Sequence, residues 1–306
     1  AYRTISQNFN RIKKDYGADK VMLMCGDPKE PRPAVMRLAR YFGTWHYATE
    51  SSIACRKGTL LAETLVFGQE NSGGDCGPQT KSYLVMATNG AWSKPHGWWR
   101  MITAAKARGV NIIVVDSRRT KTAELATVHL QPRQGTDAAL AAGLCRVLFE
   151  EGLYNKAFCD KWVYGLEAVC ERVADMDLDE LCERAWVDKE DVVRVARTYA
   201  TSHPAAIQWG VALDQQTGGQ QAAHAITAMW CITGNLDIPG GNVMADACWG
   251  IEQPNWVGTW GWDELMTPEE QAKRIGIERY PMFAVGFKNL SSNATIEAWQ
   301  RGEIPI

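Results

Sequence analysis

The stretch VNIIVVDSRRTKTAELATVHLQPRQGTDAALAA, residues 110–142, decides the fold of this chain. Its beginning, residues 110–115, is nearly continuously apolar and β-branched, which is typical of a parallel strand covered on both faces. A polar turn, a second short strand and a loop follow, and residues 138–149 have the periodicity of a helix. The stretch therefore predicts an α/β fold built on a parallel sheet.

The polar turn after this strand is the first candidate binding site, because ligands bind at the carboxyl ends of strands in open α/β sheets. Four of its residues can bind a polar ligand: Asp116, Ser117, Arg118 and Thr120. Arginines beside small hydroxyl residues suit a phosphate or the edge of a nucleotide base. The helix that follows begins after Gly135, where Thr136 or Asp137 would cap it and leave N–H groups directed at an anion.

The rest of the chain repeats the alternation of strand and helix. Further strands are predicted at residues 20–25, 45–48, 82–87 and 205–212. Helices are predicted at residues 4–17, 33–42, 98–108, 136–151, 154–163, 166–174, 178–184, 188–201, 220–233, 268–275 and 294–301. Residues 64–80 are rich in Gly, Ser, Asn and Asp and predict a loop. The architecture is therefore predicted to contain two sheets, with at least three β–α turns at strand ends.

The bulk composition argues against several classes of function. The chain has 306 residues and a net charge of −2, so two domains are possible and no general attraction for nucleic acid or an anionic membrane is expected. Neither a run of about 18 apolar residues nor a signal peptide is found, so no membrane insertion is predicted. No G-x-G-x-x-G follows a predicted strand, which argues against an ordinary NAD-binding enzyme.

Cysteine usage points to one candidate metal ligand. Nine cysteines are present and none forms a C-x2-C pair, so neither a zinc ribbon nor an iron–sulfur cluster is predicted within the chain. Cys55 is followed by Arg56, Lys57 and Gly58, and neighbouring positive charge favours the thiolate that attacks or binds a metal. A structural cysteine beside a solvated basic pair is the alternative, and the local sequence leaves both open.

Four segments resemble the molybdopterin oxidoreductases of the dimethyl-sulfoxide-reductase group. Residues 30–44, ending in Gly43-Thr44, resemble the family's Glu-containing loop and helix end, and LVMATNG (84–90) resembles its turn "i..wGsNp". VVDSRRTKTAELATVHLQPRQGTDAALAAG (114–143) resembles "vvDPRrT.tA..AD..l.irPGTD.ALalg". WGVALDQQTGGQQAAHAITAMWCITGNLDIPGGNV (209–243) resembles "G.....G......i..L..lTGNig.pGgg". The last two motifs, in this order, make the resemblance specific.

The resemblance implies two Rossmann-like parallel-sheet domains, as in formate dehydrogenase and dimethyl-sulfoxide reductase. One would be discontinuous, residues 1–50 with 205–306, and the other, residues 51–204, would be inserted and carry the metal-ligand cysteine. Each domain would hold one guanine dinucleotide of a bis(molybdopterin guanine dinucleotide) cofactor, with molybdenum or tungsten between them.

The resemblance also assigns roles to individual residues. Cys55 would coordinate the metal as a thiolate, a soft ligand that suits a thiolate-rich site. The cofactor would be bound by Asn89, Asp116, Ser117, Arg118, Thr120, Gly135, Thr136, Asp137, Gly210, Gly240 and Gly241. Among these, Asp116 would hold a guanine or ribose edge, and Gly210 with Gly240-Gly241 would approach the other dinucleotide. The chain departs from the family at Ala87, Gly90 and Ser117, where glycine, proline and proline are usual.

The implied reaction is two-electron redox at the metal, with oxygen, sulfur or hydroxyl transfer to or from a small-molecule substrate. A cysteine ligand fits relatives that resemble nitrate, polysulfide or thiosulfate reductases, acetylene hydratase or catechol dehydroxylase. The tryptophan-rich tail, residues 249–262, favours the acetylene-hydratase-like and catechol-dehydroxylase-like group. Two alternatives stay open: an acetylene-hydratase-like lyase without net redox, and a non-catalytic module that binds nucleotide or a partner.

The family's N-terminal iron–sulfur region and C-terminal barrel have no counterpart in the sequence. The chain is therefore expected to be the central part of a larger bacterial enzyme and inactive alone, with the iron–sulfur cluster in the region that precedes it. An iron–sulfur electron-transfer subunit is the expected partner. The parent enzyme would be cytoplasmic or exported to the periplasm or cell surface.

Overall fold

The computed structural model describes residues 1–26, 30–49, 55–69, 72–244, 266–281 and 290–304. The chain forms two compact units, Ala1–Cys55 with Ala247–Ile306, and Arg56–Asp246. The strands are β1 (Leu23–Cys25), β2 (Tyr47–Thr49), β3 (Gly73–Gly74), β4 (Ser82–Met86), β5 (Asn111–Val115), β6 (Val128–Leu130), β7 (Ala205–Trp209) and β8 (Asn242–Val243). The predicted α/β class is confirmed.

The α-helices accompany these strands along the whole chain. They are α1 (Tyr2–Tyr16), α2 (Arg32–Phe42), α3 (Lys57–Phe67), α4 (Gly90–Ser93), α5 (Trp98–Ala107), α6 (Lys121–Glu124), α7 (Asp137–Glu150), α8 (Lys156–Trp162), α9 (Leu166–Ala174), α10 (Leu178–Ala185), α11 (Lys189–Thr201), α12 (Gly219–Ile232), α13 (Pro268–Ala272) and α14 (Ser292–Gln300). No helix within the described ranges is long and apolar enough to cross a bilayer.

The larger unit is built on a parallel sheet with the strand order β6-β5-β4-β7. The chain adds β5 and β6 on one side of β4 and then returns to add β7 on the other side. This reversal creates a topological switch point between β4 and β7, which is where open α/β sheets bind their ligands.

Helices cover both faces of this sheet because successive strand residues point to opposite sides. On one face Leu84 and Ile113 pack with Leu144 of α7 and Trp230 of α12. On the other face the neighbouring strand residues pack with α5, Tyr83 and Ile112 against Trp98 and Ile102. Strand residues on both faces are fully buried, which explains the continuously apolar sequence of β4 and β5.

The smaller unit contains the parallel pair β1–β2 and helix α2. Met36 and Ala39 of α2 pack against Cys25 and Tyr47 of the two strands. The Arg40 Nη1 atom donates to both carboxylate oxygens of Glu270, at 2.7 and 2.8 Å, and this ion pair joins α2 to α13. Residues 1–49 and 266–304 are thus held together by packing and by an ion pair, although they lie far apart in sequence.

The domain boundary in the structure differs from the boundary that was predicted between residues 204 and 205. The predicted inserted domain ends at residue 204, but β7 pairs in register with β4, from Ser82 and Ala205 to Met86 and Trp209. A strand cannot leave its sheet without exposing its backbone hydrogen-bonding groups. Residues 205–246 therefore belong to the larger unit, and the discontinuous unit resumes at Ala247.

The predicted loop over residues 64–80 is wrong at its beginning, where α3 continues to Phe67. Buried residues lie all round this helix, Gly58, Leu60, Ala62 and Glu63 among them. A helix that is buried on most sides has no polar stripe, so its periodicity is not visible in the sequence.

Candidate functional site

Two adjoining cavities lie at the carboxyl edge of the four-stranded sheet and share the residues Ala87, Thr88, Asn89 and Arg118. The larger, about 870 Å³, is lined by the segments that follow β4 and β7. The smaller, about 560 Å³, is lined by the segments that follow β4 and β5 and by the loop before α7. We call the two together the strand-end groove, and it lies at the topological switch point.

The groove brings together most of the predicted cofactor-binding residues. The smaller cavity is lined by Asn89, Asp116, Ser117, Arg118, Gly135 and Asp137. Gly210 lines the larger cavity. Four predicted residues are not among the residues that line either cavity: Thr120, Thr136, Gly240 and Gly241.

The turn after β5 is shaped by its own side chains. The Asp116 Oδ1 atom accepts a hydrogen bond from the Arg118 backbone N–H at 2.9 Å, which is a local turn typical of aspartate. The buried Thr120 is the N-cap of α6, and its hydroxyl oxygen accepts from the Ala123 N–H at 3.2 Å. Thr120 therefore holds the turn in place from behind rather than lining the groove.

The predicted capping of α7 is not found. Thr136 occupies the N-cap position, but no side-chain cap bond is made there, and its hydroxyl donates to the Arg133 carbonyl at 2.6 Å. Asp137 is buried and lines the smaller cavity beside Arg133, whose guanidinium lies 5.1 Å from the ring centroid of Trp186. The start of α7 thus faces the groove with an arginine beside it.

The turn after β4 explains two departures from the family motif. Ala87 has a φ of 53°, a left-handed conformation that favours glycine, and it occupies the position where the family has glycine. Gly90 begins α4 directly against Trp98, where a Cβ atom would lie 1.6 Å from the ring. Asn89 between them accepts a hydrogen bond from the Thr122 hydroxyl at 2.9 Å. The turn therefore has a left-handed alanine at position 87 and a glycine at position 90 that lies directly against Trp98.

Position 210 requires a glycine because the turn after β4 lies directly against it. A Cβ atom on Gly210 would lie 2.3 Å from the Ala87 carbonyl oxygen and 2.7 Å from the Thr88 Cβ. The turn after β7 consequently touches the turn after β4, and the larger cavity opens beside this contact.

The Gly240-Gly241 turn lies away from the groove and completes the sheet edge. Asp75 holds it, since its carboxylate accepts the Gly240 N–H at 2.7 Å and its own N–H donates to the Gly241 carbonyl at 2.8 Å. The next residue, Asn242, bonds the outer edge of β7: its Oδ1 accepts from the Ile207 N–H at 2.8 Å, and its Nδ2 donates to the Ile207 carbonyl at 3.0 Å. The structure thus gives these glycines an architectural role.

Cys55 directly precedes the larger unit. It is half-buried, and the next residue, Arg56, lines the larger cavity with a φ of 53°. Lys94 and Arg118 line the same cavity. Three cationic side chains around one cavity suit a polyanionic ligand.

Sequence reasoning missed several groove residues. Asp214 follows β7 and accepts a hydrogen bond from the Thr59 N–H at 2.7 Å, while burial raises the pKa of its carboxyl group. Gln216 lines the smaller cavity, and its buried Oε1 atom has no hydrogen-bond partner within the described residues. One signal could have found Asp214, because it follows a strand as Asp116 does. The tryptophans at 249, 256, 260 and 262 lie outside the described residues.

Comparisons with known proteins identify the family of this chain. Residues 1–251 match the molybdopterin oxidoreductase family model. Acetylene hydratase of Syntrophotalea acetylenica is 33% identical over 189 residues, 61% of this chain and 25% of that protein. The catalytic subunit of the assimilatory nitrate reductase of Bacillus subtilis is 30% identical over 162 residues, 53% of this chain and 23% of that protein.

The structural comparison points the same way. The solved structure of acetylene hydratase from Pelobacter acetylenicus matches with a TM-score of 0.74 and 26% identity, over 92% of this chain and 38% of that one. The chain spans about a quarter of the length of the curated relatives that it matches. The family model covers most of the sequence, so the chain belongs to the molybdopterin oxidoreductase family.

Proposed function

We propose that this chain is the cofactor-binding core of a molybdenum or tungsten enzyme, in which the strand-end groove holds a guanine dinucleotide of a bis(molybdopterin guanine dinucleotide) cofactor and Cys55 ligates the metal. Family membership implies a molybdopterin cofactor with molybdenum or tungsten. The observation that carries the proposal is the groove at the switch point between β4 and β7, the place where doubly wound sheets bind dinucleotides.

The residues of the groove fit such a group chemically. A guanine presents N–H donors, and the smaller cavity offers two acceptors, the Asp116 carboxylate and the buried Gln216 Oε1. A diphosphate needs cationic donors, which Arg118 supplies to both cavities and Lys94 to the larger one. The role of these side chains is to bind and orient the cofactor, which supplies the two-electron chemistry when it is bound.

Cys55 is the candidate metal ligand because a thiolate suits a soft, sulfur-rich site. Among the described residues, no three His, Cys, Asp or Glu side chains gather as a metal site of their own. A metal bound by the cofactor would need few further ligands from the protein, and Cys55 would supply one.

The proposed reaction is a two-electron oxidation or reduction of a small substrate, with oxygen or hydroxyl transfer, and an iron–sulfur protein exchanging the electrons. An acetylene-hydratase-like lyase is the second candidate, since an acetylene hydratase is found both among the sequence relatives and among the solved structures. Dye-linked turnover with an electron acceptor supports the first, and hydration of acetylene without net electron transfer supports the second.

The metal assignment is tested by Cys55→Ala in the metal-loaded protein. We expect the pterin content to be retained and the metal's X-ray absorption spectrum to lose one sulfur neighbour. Cys170→Ala is the matched control, because Cys170 is also half-buried but lies on α9, away from the groove-lining residues. An unchanged metal spectrum in Cys55→Ala would refute the assignment of Cys55 as the metal ligand.

The nucleotide assignment is tested by titrating the purified protein with GDP. Asp116→Ala removes a groove acceptor, and we expect the affinity to fall about tenfold, which corresponds to the loss of a hydrogen bond to a charged group. Asp188→Ala, at the exposed start of α11, should bind GDP like the unchanged protein. Equal affinity in both variants argues against a guanine site in the smaller cavity.

A further inference from the structure

The helix that follows Cys55 is capped by a residue from a distant part of the chain. Arg56 occupies the N-cap position of α3, and an arginine side chain has no acceptor with which to cap a helix. Asp214 takes this role across 155 positions: its carboxylate accepts the Thr59 N–H at 2.7 Å and the Thr59 hydroxyl at 3.3 Å. The Thr59 hydroxyl also lies 3.2 Å from the Arg56 carbonyl oxygen. The start of α3 is therefore held by Asp214.

Glycines bring the backbones at this junction into direct contact. A Cβ atom on Gly58 would lie 3.0 Å from Asp214 Oδ1 and 3.1 Å from the backbone of Gln220, at the start of α12. A Cβ atom on Gly219 would lie 2.4 Å from the Leu213 carbonyl oxygen. Glycine at positions 58 and 219 allows these close approaches, which place the Asp214 carboxylate against the first turn of α3.

The conformation of Arg56 needs such a constraint. Its φ of 53° is left-handed, and a non-glycine residue keeps this conformation where the surrounding structure enforces it. The Asp214 carboxylate also attracts the Arg56 guanidinium. Because Arg56 joins Cys55 to α3, its backbone angles set the direction in which the chain leaves the helix toward Cys55.

The carboxyl group of Asp214 is partly buried at this junction. Burial raises the pKa of Asp214, while the hydrogen bonds from Thr59 and the charge of Arg56 oppose this effect. A carboxyl group whose pKa is raised by folding stabilises the protein at low pH, and this contribution is lost as the pH rises through the raised pKa. The hydrogen bonds from Thr59 place this carboxyl group at the first turn of α3.

We propose that Asp214 is a positioning residue for Cys55: by capping α3 from outside the helix, it fixes the backbone from which the metal-ligand cysteine extends. This inference rests on the proposed role of Cys55 as the metal ligand. In this role Asp214 acts through its contacts with Thr59 and Arg56.

The cap is tested by hydrogen–deuterium exchange of the purified protein without cofactor. In Asp214→Ala the amides of residues 57–60 should exchange about five- to tenfold faster, as for a lost N-cap. In Asp214→Asn, which keeps an acceptor for the Thr59 N–H, exchange should stay within about twofold of the unchanged protein.

Asp177→Ala is the matched control for this measurement. Asp177 caps α10 through the Glu180 N–H at 3.0 Å, so its loss should accelerate exchange at the start of α10 and leave α3 unchanged. Unaltered exchange of residues 57–60 in Asp214→Ala would overturn the inference, whether or not the proposed function holds.

The link to the metal is tested by electron paramagnetic resonance of the metal-loaded protein. The spectrum should shift or broaden in Asp214→Ala, return to normal in Asp214→Asn, and stay unchanged in Asp177→Ala. If Cys55→Ala changes the spectrum and Asp214→Ala does not, the positioning role is refuted while the proposed function stands. If Cys55→Ala leaves the spectrum unchanged, the proposed function fails independently of the cap.

Discussion

Replacing Asn242 by alanine tests whether the glycine-rich segment after α12 exists to complete the sheet. Asn242 is 1% exposed, and its amide makes two hydrogen bonds with the backbone of Ile207 on β7. Alanine would leave a buried N–H and a buried carbonyl without these partners. Each unsatisfied group costs about 1–3 kcal/mol, so the free energy of unfolding should fall by about 2–6 kcal/mol.

Asn242→Asp makes the same test sensitive to pH. The carboxylate keeps an acceptor for the Ile207 N–H but turns a second oxygen toward the Ile207 carbonyl. Burial and this repulsion should raise the pKa of the new carboxyl group above its unfolded value, so stability should be regained as the pH falls and protonation restores a donor. Asn242→Asp should therefore be less stable than the unchanged protein at pH 7 and approach it in mild acid.

Urea unfolding followed by far-ultraviolet circular dichroism measures both effects. Asn8→Ala is the control, because Asn8 also donates to a backbone carbonyl but lies exposed on α1, and its loss should cost less than about 0.5 kcal/mol. The reasoning would be refuted if Asn242→Ala lowered the free energy of unfolding by less than about 1 kcal/mol and also weakened GDP binding. That result would indicate that this segment contacts the nucleotide.

Two further substitutions test the turn after β4. Ala87→Gly should raise the free energy of unfolding by about 0.5–1 kcal/mol, because it relieves a left-handed alanine; a lower urea midpoint would contradict the assigned backbone conformation. Gly90→Ala should lower the free energy of unfolding by about 1–3 kcal/mol or more, because the added methyl group overpacks against Trp98. The near-ultraviolet circular dichroism of that tryptophan should change as well. An unaltered spectrum with full stability would show that the contact is not tight.

The local parts of this fold could be predicted from the sequence. Within residues 110–142, strand, turn and helix follow one another closely, and each has its own pattern: continuous apolar residues in β5, the polar turn at Asp116, and a helical period in α7. The carboxyl end of a strand is a binding edge in any parallel sheet, so Asp116, Ser117 and Arg118 could be proposed as groove residues without knowledge of the neighbouring strands.

The partner of β7 could not be predicted in this way. Its sequence is equally compatible with either of two sheets, and β4, with which it pairs, lies more than a hundred residues earlier. The boundary predicted at residue 204 separates two strands that are hydrogen-bonded neighbours. The cap of α3 could not be predicted for the same reason, because Asp214 and Thr59 lie 155 positions apart in the sequence.

Glycine was the least informative signal in the candidate site. A Gly-rich turn indicates that something approaches the backbone closely, but not what approaches. At Gly210 the close neighbour is the turn after β4, and at Gly240 it is the backbone of Gln79 and Thr80. In both cases the close neighbour is the protein itself, although a dinucleotide would require the same residue type.

The segment from β7 to β8 therefore contacts both the groove and the outer edge of the sheet. Its beginning, Gly210 to Asp214, forms the wall of the larger cavity and caps α3. Its end returns along β7, where Asn235 accepts the Ala205 N–H at 2.9 Å and Asn242 bonds Ile207. Because β7 forms one side of the switch point, side chains at the far end of the segment hold the strand that shapes the groove. A substitution at Asn242 should thus reach the groove through β7, with no contact between Asn242 and any ligand.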